Sequence, residues 1–341
     1  MKIGLKSLIR RATASAYYAT GHFKTRLKGK VAILMYHRVI TERELEQQYV
    51  QPGMYVLDDV FEMQMHFLKE HFNVISFNEL LSIWNKKIFD ETKRYCVITF
   101  DDGWFDSYTN AYQILKKYDM PATIFLPTAY INTNKWFWPD KLAYVLQQIA
   151  SVSNNRPSIL STATRTKYPL LSKFHIEGIE SAIKEWKVLD EEEIERRIDE
   201  IADMLKIELP KDRMVLNWRE IEEMSINKIS FGSHSATHRI LTNHTTDVVR
   251  KELEYSMNAL RAEQINYTNV FCFPNGNYNE AIAEMVREAG YDAAVTTKSG
   301  LEDGVSDNHF SLKRIGIHND ISSTLSLFAF YLSGINHKIS S

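Results

Sequence analysis

Two adjacent carboxylates, Asp101 and Asp102, are the first residues whose type and spacing could do chemistry. They directly follow a strand-like run at residues 95–100, and side chains at the carboxyl ends of parallel strands converge on ligand sites. Two carboxylates this close are not both stable as unpaired anions, so a cation or a shared proton is implied. The alternative is an Asp-Gly turn in which an Asp caps the next helix.

Two histidines four residues apart, His234 and His238, form the second group and also follow a strand-like run. At this spacing two imidazoles can meet on one side of a helical turn and bind one metal ion. A zinc-peptidase motif needs Glu directly after the first His, and Ser235 stands there, so that class is excluded. The alternative is a pair of surface histidines. One carboxylate with two imidazoles is a facial ligand set for a divalent metal with open positions.

The elements that must position these groups alternate between strand-like and helix-like patterns. Short apolar runs rich in β-branched and aromatic residues alternate with amphipathic segments, which predicts an α/β fold with a parallel sheet or barrel. Predicted strands cover residues 31–36, 73–76, 95–100, 122–126, 228–231, 269–273, 292–296 and 313–317, and predicted helices cover residues 58–72, 104–118, 217–225, 247–264 and 279–289.

The 341 residues divide into three predicted parts. Residues 1–30 form a basic leader, residues 31–320 the barrel, and residues 321–341 a C-terminal helix and tail. A segment rich in helix formers, residues 138–216, separates the fourth and fifth predicted strands and is interpreted as a helical insertion. The leader holds eight basic and no acidic residues, with apolar residues at helical spacing. It predicts an amphipathic helix on an anionic membrane surface or a helix packed on the barrel.

Composition limits the partners and the compartment. The 41 Lys and Arg against 43 Asp and Glu leave a net charge of −2, so no general affinity for nucleic acid is expected. Two cysteines do not make a disulfide scaffold. Neither a membrane-spanning apolar run nor the apolar region of a signal peptide is found, so we expect a cytoplasmic protein, with peripheral contact to the inner membrane as the alternative.

Together, the motifs around Asp102 and His234 resemble those of the NodB-type polysaccharide deacetylases, carbohydrate esterase family 4. The resemblance extends from about residue 31 to residue 317 and implies a distorted (β/α) barrel of seven or eight strands. It also implies that Asp102, His234 and His238 bind one divalent metal ion, with Asp101 as the catalytic base. Zinc is the expected metal, and cobalt or nickel are the alternatives.

The third motif of that family, Arg-x-Pro-x-Gly, is altered here. Residues 272–276 read Cys-Phe-Pro-Asn-Gly, so Cys272 stands where the Arg that orients the base is expected. Arg314, at the end of the last predicted strand, is the candidate substitute, and a surface salt bridge is the alternative for it. By the same resemblance, the backbone N–H of Asn275 is expected to hold the oxyanion.

The residue that protonates the leaving group has two candidates. Residues 34–39, Leu-Met-Tyr-His-Arg-Val, resemble the opening of a subgroup that processes bacterial surface polysaccharides. In that subgroup the acid histidine has moved to the first strand by circular permutation, which implies His37. His318 corresponds to the ordinary C-terminal position and is the alternative. Trp138 is expected to stack on a sugar ring, or to pack the insertion onto the barrel.

The expected function is therefore metal-dependent removal of N-acetyl groups from a carbohydrate that contains N-acetylhexosamine. A divalent metal lowers the pKa of a bound water, and an acid is needed because an amide anion is too basic to leave unaided. Two alternatives stay open from the sequence: a glycan-binding barrel without turnover, and an amidase for a small or cyclic amide. The presence of Asp101 argues against the first, because a binding protein needs no base beside its metal.

Overall fold

The computed structural model describes residues 5–155, 176–304 and 308–334. Parts of the predicted leader, insertion and C-terminal tail lie outside these residues. Among the described helices, none has the length and apolar character that crossing a membrane requires.

Seven parallel strands close a barrel, in the order β1-β11-β9-β8-β7-β6-β5, with β5 pairing back to β1. The strands are β1 (Lys30–Tyr36), β2 (Arg38–Ile40), β3 (Tyr55–Leu57), β4 (Asn73–Val74), β5 (Arg94–Phe100), β6 (Ala122–Leu126), β7 (Ile229–Ser233), β8 (Tyr267–Cys272), β9 (Ala293–Ser299), β10 (Glu302–Asp303) and β11 (Leu312–Gly316). The predicted α/β barrel is confirmed, with seven strands in the closed ring.

One predicted strand does not belong to the closed ring. Residues 73–76 supply only β4, which pairs with β5 outside the ring. The reason is a capping box: the Ser76 hydroxyl accepts from the Glu79 N–H, and the Glu79 carboxylate accepts from the Ser76 N–H. This box starts the helix Phe77–Lys86, which the sequence analysis missed, and so ends the strand. A second unpredicted element, β10, pairs antiparallel with the start of β1.

The described α-helices lie between and beyond these strands in the chain. The segment predicted as a helix from residue 104 begins later, with a π-helical turn at Ser107–Ala111 before the α-helix Tyr112–Tyr118. The other helices are Leu5–Ala19, His22–Arg26, Glu42–Gln47, Asp58–His71, Phe77–Lys86, Trp138–Asn155, Ile176–Trp186, Glu191–Leu205, Trp218–Ser225, Thr246–Ala262, Glu280–Glu288, Asn319–Ser322 and Leu325–Leu332.

Two apolar clusters lie on opposite faces of the barrel wall. In β1, Ile33 packs with Val97 of β5 and with residues of β6, β8, β9 and β11, a set that only the barrel interior can bring together. Leu34 and Ile98, one position further along each strand, pack instead with helix residues such as Phe61. Side chains of successive strand residues point to opposite faces, so parity decides which of them enter the barrel.

The chain divides into two compact units. The first contains the barrel and comprises Met1–Glu42, Pro52–Thr133 and Val215–Ser341. The second comprises Arg43–Gln51 and Asn134–Met214, and its described helices bury an apolar core of their own.

Candidate active site

Strand parity brings side chains from several strands to the carboxyl end of the barrel interior. Val97 points inward in β5, and Asp101 has the same parity just past the end of that strand. Ile33 points inward in β1, and His37, one residue beyond the end of that strand, has the same parity. In β11, Leu312 and Arg314 are related in the same way.

Asp101 and Asp102 contact different partners because the backbone turns sharply after β5. Asp102 and Gly103 have φ values of 72° and 63°, in the left-handed region. A side chain at position 103 would not fit, since its Cβ would lie 2.7 Å from Cδ2 of Leu126. The two aspartates are only 2% and 5% exposed, so both carboxyl groups are withdrawn from bulk water.

Asp102, His234 and His238 bring one carboxylate and two imidazoles together. Oδ1 of Asp102 lies 3.3 Å from Nε2 of His234 and 3.2 Å from Nε2 of His238. One donor atom from each residue lies within 4.8 Å of the other two. A set of two imidazole nitrogens and one carboxylate oxygen suits Zn²⁺ and similar divalent ions. The donor set therefore fits one divalent metal ion.

A backbone carbonyl orients the ring of His234. Nδ1 of His234 lies 2.8 Å from the carbonyl oxygen of Cys272. Because a carbonyl only accepts hydrogen bonds, Nδ1 carries a proton, and Nε2 is the ring nitrogen that faces the cluster. Cys272, which replaces the expected Arg, thus supports a histidine through its main chain.

The charges in this cluster favour a bound cation. Burial raises the pKa of Asp102, but hydrogen bonds from His234 and His238 outweigh it and hold that pKa well below its usual range. Burial lowers the pKa of His234, and the Asp102 carboxylate more than compensates, so the pKa lies above its usual value. The carboxylate therefore stabilises positive charge on its neighbours, which a proton or a metal ion can supply.

A buried carboxylate, Glu252, holds the turn that carries the two histidines. It accepts hydrogen bonds from the backbone N–H groups of Ala236 at 2.9 Å and Thr237 at 2.8 Å, and from the Thr237 hydroxyl at 2.7 Å. Ser235 and His238 have φ values of 61° and 64°, a costly conformation for residues other than glycine. The three hydrogen bonds to Glu252 stabilise this conformation.

Arg314 donates two parallel hydrogen bonds to the carboxylate of Asp101. Nη1 donates to Oδ1 and Nη2 to Oδ2, each at 2.7 Å, and the arginine is 0% exposed. The guanidinium is itself held by the Thr296 carbonyl at 2.9 Å and by Sγ of Cys272 at 3.2 Å. Arg314 is therefore a buried partner of Asp101 and not part of a surface salt bridge.

This pairing sets the ionisation of Asp101. Burial raises the pKa of the carboxyl, but the charge and the hydrogen bonds of Arg314 outweigh burial and hold the pKa below its usual value. Conversely, burial lowers the pKa of Arg314 while Asp101 raises it above its usual value. Both groups are therefore charged at neutral pH, which leaves Asp101 able to accept a proton.

A second group, Asp101, His234 and Cys272, also has metal-ligand types close together. Both oxygens of Asp101 are engaged by Arg314, whose positive charge opposes a cation there. Burial raises the pKa of the Cys272 thiol well above its usual value, so the thiolate that metals require is disfavoured. The cluster around Asp102 is the better metal site, because it has neither an arginine bound to its carboxylate nor a protonated thiol among its ligands.

His37 lies beside Asp101 on the same rim. Its Nε2 is 3.9 Å from Oδ2 of Asp101, which is an ion-pair distance and too long for a hydrogen bond. Burial lowers the pKa of His37, and the nearby carboxylates of Asp102 and Asp101 only partly offset this effect. A lower pKa makes the imidazolium a stronger proton donor while reducing its population at neutral pH.

His318 has a different partner. It precedes the helix Asn319–Ser322, and its Nδ1 lies 3.3 Å from a carboxylate oxygen of Asp320. Burial lowers the pKa of His318, and Asp320 acts in the opposite direction. The assignment of the acid to His37 rather than to His318 stays a prediction.

Asn275 lies in a tight turn after β8, at residues Pro274–Gly276. Its φ is 54°, and its side-chain amide donates to the Asn277 side chain at 2.6 Å. Gly276 follows with a φ of 74°, and a Cβ there would lie 1.9 Å from Oγ1 of Thr297. The turn is thus sterically defined, while the role of the Asn275 N–H in holding an oxyanion stays a prediction.

Trp138 belongs to the second compact unit. It begins the helix Trp138–Asn155 and packs against the apolar core of that unit, whose members include Leu142 and Ile198. Its proposed role in stacking on a sugar stays a prediction.

The sequence analysis missed Glu252 and three further residues that support the site. The indole N–H of Trp104 donates to Oδ2 of Asp102 at 3.0 Å, on the other oxygen from the one that faces the histidines. The guanidinium of Arg38 lies 4.6 Å from the centre of the Trp104 ring. Asp106 accepts from Arg38 Nε at 2.7 Å and from the Val39 N–H at 3.0 Å. Their places beside His37 and Asp102 in the chain are the signal that could have indicated them.

Comparisons with known proteins identify the family of the chain. A family model described as "Polysaccharide deacetylase" matches residues 90–294, more than half of the chain. The chain is also 22% identical over 315 residues to YxkH of Bacillus subtilis (strain 168), named for the same family, covering 92% of this chain and 79% of the relative.

Solved structures share the fold. The deacetylase PplD of Streptococcus pyogenes, in complex with acetate, is 22% identical with a TM-score of 0.55, over 86% of this chain and 95% of that one. A de-N-acetylase from Aggregatibacter actinomycetemcomitans is 14% identical with a TM-score of 0.57, over 89% of this chain and 99% of that one. The family match and the barrel agree with the resemblance in the sequence motifs, and the chain belongs to the polysaccharide deacetylase family.

Proposed function

We propose that this enzyme removes N-acetyl groups from an N-acetylhexosamine carbohydrate of the bacterial surface-polysaccharide class. The observation that carries the proposal is the placement of Asp101. Its carboxylate is paired with Arg314, next in sequence to the ligand-type cluster of Asp102, and 3.9 Å from Nε2 of His37. A base, a metal-binding cluster and a candidate acid thus meet at one end of the barrel.

Asp102, His234 and His238 would hold the divalent metal, with zinc expected and cobalt or nickel as alternatives. A metal bound there supplies Lewis acidity, polarising the acetyl carbonyl and lowering the pKa of water. The three residues leave room in the usual coordination number for water or substrate, as a catalytic site requires.

Asp101 acts as the base. Its carboxylate takes a proton from the water that attacks the acetyl carbon, and the paired Arg314 keeps both oxygens in a fixed direction. Because Arg314 holds the pKa below its usual value, Asp101 is ionised before the reaction begins. A fixed base avoids the loss of entropy that a mobile carboxylate would suffer in the transition state.

His37 acts as the acid. Its imidazolium gives a proton to the leaving nitrogen as the C–N bond breaks, so acetate and a free amine are the products. The backbone N–H of Asn275 is proposed to stabilise the negative oxygen that forms on the carbonyl, and removing one such donor typically costs about 2.7–4 kcal/mol of barrier. The need for His37 favours amides over esters, whose leaving groups are less basic.

Two observations support this substrate class over a small or cyclic amide. The family of the chain is described by its action on polysaccharides. One structural neighbour with the same fold is described as a de-N-acetylase. The buried charge pair of Arg314 and Asp101 also supports turnover, since a glycan-binding protein has no need of a fixed ionised base.

The test is acetate release from oligomers of N-acetylglucosamine by the zinc-loaded protein. We expect acetate and new primary amines in equal amounts, measured by an enzymatic acetate assay and by amine labelling. Asp101→Asn is expected to keep the metal and to lose at least ~10²-fold in rate, the lower range of general acid–base catalysis.

No acetate from these oligomers, together with acetate release from an O-acetylated sugar, would indicate an O-deacetylase and contradict the proposed bond. A rate within a factor of two of the unmodified enzyme for Asp101→Asn would show that Asp101 is not the base. His66→Gln serves as a matched control, since this exposed histidine forms its ion pair with Glu70 and its ring contact with Tyr118, and the variant should change neither product.

A further inference from the structure

The helix Leu5–Ala19 exposes an apolar face that the barrel unit does not use. Leu8 and Ile9 are 56% and 58% exposed, although both are large aliphatic residues. At 3.6 residues per turn, Ala12 and Ala16 continue the same face, and both are exposed. The apolar stripe in this part of the sequence is therefore directed to solvent.

The opposite face of the same helix attaches it to the protein. Ala14 is fully buried against Leu327 and Phe330, and the ring of Tyr17 lies 5.4 Å from that of Phe330. The guanidinium of Arg10 donates to the Asp320 carbonyl at 2.8 Å. The helix is thus fixed in orientation by one face, and its second apolar face is held outward in a defined direction.

The segment that carries this exposed face is positively charged. Residues 1–30 contain eight of the 41 basic residues of the chain and no acidic residue, so the rest of the chain is acidic, with 33 basic against 43 acidic residues. Arg11 is exposed beside Leu8 and forms no ion pair or hydrogen bond with any residue that the structure describes. An apolar stripe with basic flanks matches an anionic lipid surface.

We propose that the exposed face of the helix Leu5–Ala19 docks the enzyme on an anionic membrane surface. Leu8 and Ile9 enter the boundary between headgroups and acyl chains, and Arg11 beside them contacts the headgroups. Self-association through this face is disfavoured, because it would bring two positively charged segments together. The acidic remainder of the chain is repelled by the same surface, which keeps the docked face toward the lipid.

The experiment is co-sedimentation of the full chain with vesicles of phosphatidylcholine alone or with 30 mol% phosphatidylglycerol, at about 0.1 M salt. We expect binding to the anionic vesicles, at least five-fold weaker binding to the neutral ones, and loss of binding at high salt. Leu8→Gln combined with Ile9→Gln should reduce binding at least ten-fold at unchanged net charge. Arg11→Gln should reduce it by roughly five-fold, as expected for one basic residue near the surface.

Ile226→Gln is the matched control, since Ile226 is 84% exposed and lies at the end of the helix Trp218–Ser225. It should bind like the unmodified chain, and all variants should keep their hydrolysis of a soluble aryl acetate and their circular dichroism. Equal binding to both vesicle types, or full binding by the double variant, would overturn the proposal. A dimer in sedimentation velocity that the double variant abolishes, without vesicle binding, would assign the face to a second copy instead.

Discussion

Arg314 and Asp101 are 213 positions apart in the chain, yet two hydrogen bonds of 2.7 Å join them in a fully buried pair. The pairing depends on barrel closure, because β11 and β5 are both neighbours of β1. We expect this pairing to take the place of the one made by the Arg that the family motif has at the position of Cys272. Cys272 remains part of the arrangement, because its sulfur accepts a hydrogen bond from Arg314.

Replacing Arg314 by Met should therefore destabilise the protein strongly. Removing one partner of a buried ion pair leaves an uncompensated charge, which typically costs about 3–5 kcal/mol in the free energy of unfolding. The measurement is urea denaturation followed by circular dichroism. Arg287→Met, which breaks an exposed pair with Glu284, is the control and should change stability by less than about 1 kcal/mol. A loss for Arg314→Met no greater than that of the control would show that the buried pair contributes little.

Metal binding should depend on the three-residue cluster. His234→Ala and Asp102→Ala should each reduce the metal content from about one ion per chain to a small fraction, measured by elemental analysis after dialysis. Chelation should abolish activity but leave the circular dichroism spectrum unchanged, because the barrel has its own apolar core. His318→Ala is the control and should retain its metal. Full metal content in both cluster variants would refute the ligand assignment.

The identity of the acid can be decided by comparing leaving groups. His37→Ala should suppress hydrolysis of an N-acetylated sugar by at least ~10²-fold while sparing an aryl acetate, whose leaving group departs without protonation. His318→Ala should leave both reactions nearly unchanged. Initial rates on the two substrates provide the measurement.

The opposite pattern in these two variants would assign the acid to His318. An equal loss on both substrates in His37→Ala would indicate a role in folding or in metal binding, because an acid affects the two leaving groups differently. Metal content and circular dichroism of the same samples separate these outcomes.

The hydrogen bond from Trp104 to Asp102 should strengthen metal binding. Groups that orient a metal ligand typically contribute 10- to 100-fold in affinity, so Trp104→Phe should weaken zinc binding by roughly that factor in competition titrations with a chelator. Trp84→Phe is a closely matched control, since Trp84 is also buried and its indole N–H has no hydrogen-bond partner among the described residues. Equal zinc affinity in the two variants would show that the Trp104 hydrogen bond does not contribute to metal binding.

The local motifs made much of the site predictable from the sequence. Asp101 and Asp102 are adjacent in the chain, and His234 and His238 share one turn, so their spacing is visible without a structure. The α/β class was predictable for a related reason: buried parallel strands appear as short apolar runs, and each run depends on only a few neighbouring residues. The count of seven barrel strands was less certain, because the capping box of Ser76 shortens one run into an edge strand.

Only the tertiary structure decided which distant residues support these motifs. The contact of Glu252 with the turn before His238, and that of Trp104 with Asp102, depend on side-chain directions that spacing does not encode. From the sequence, Arg314 could be either the partner of Asp101 or part of a surface salt bridge. Barrel closure places it in a buried pair with Asp101. The sequence likewise showed a basic helix with an apolar stripe at its start, but only packing determined that the stripe faces outward. Local patterns specify elements and short motifs, whereas contacts across hundreds of residues depend on how the strands close around one interior.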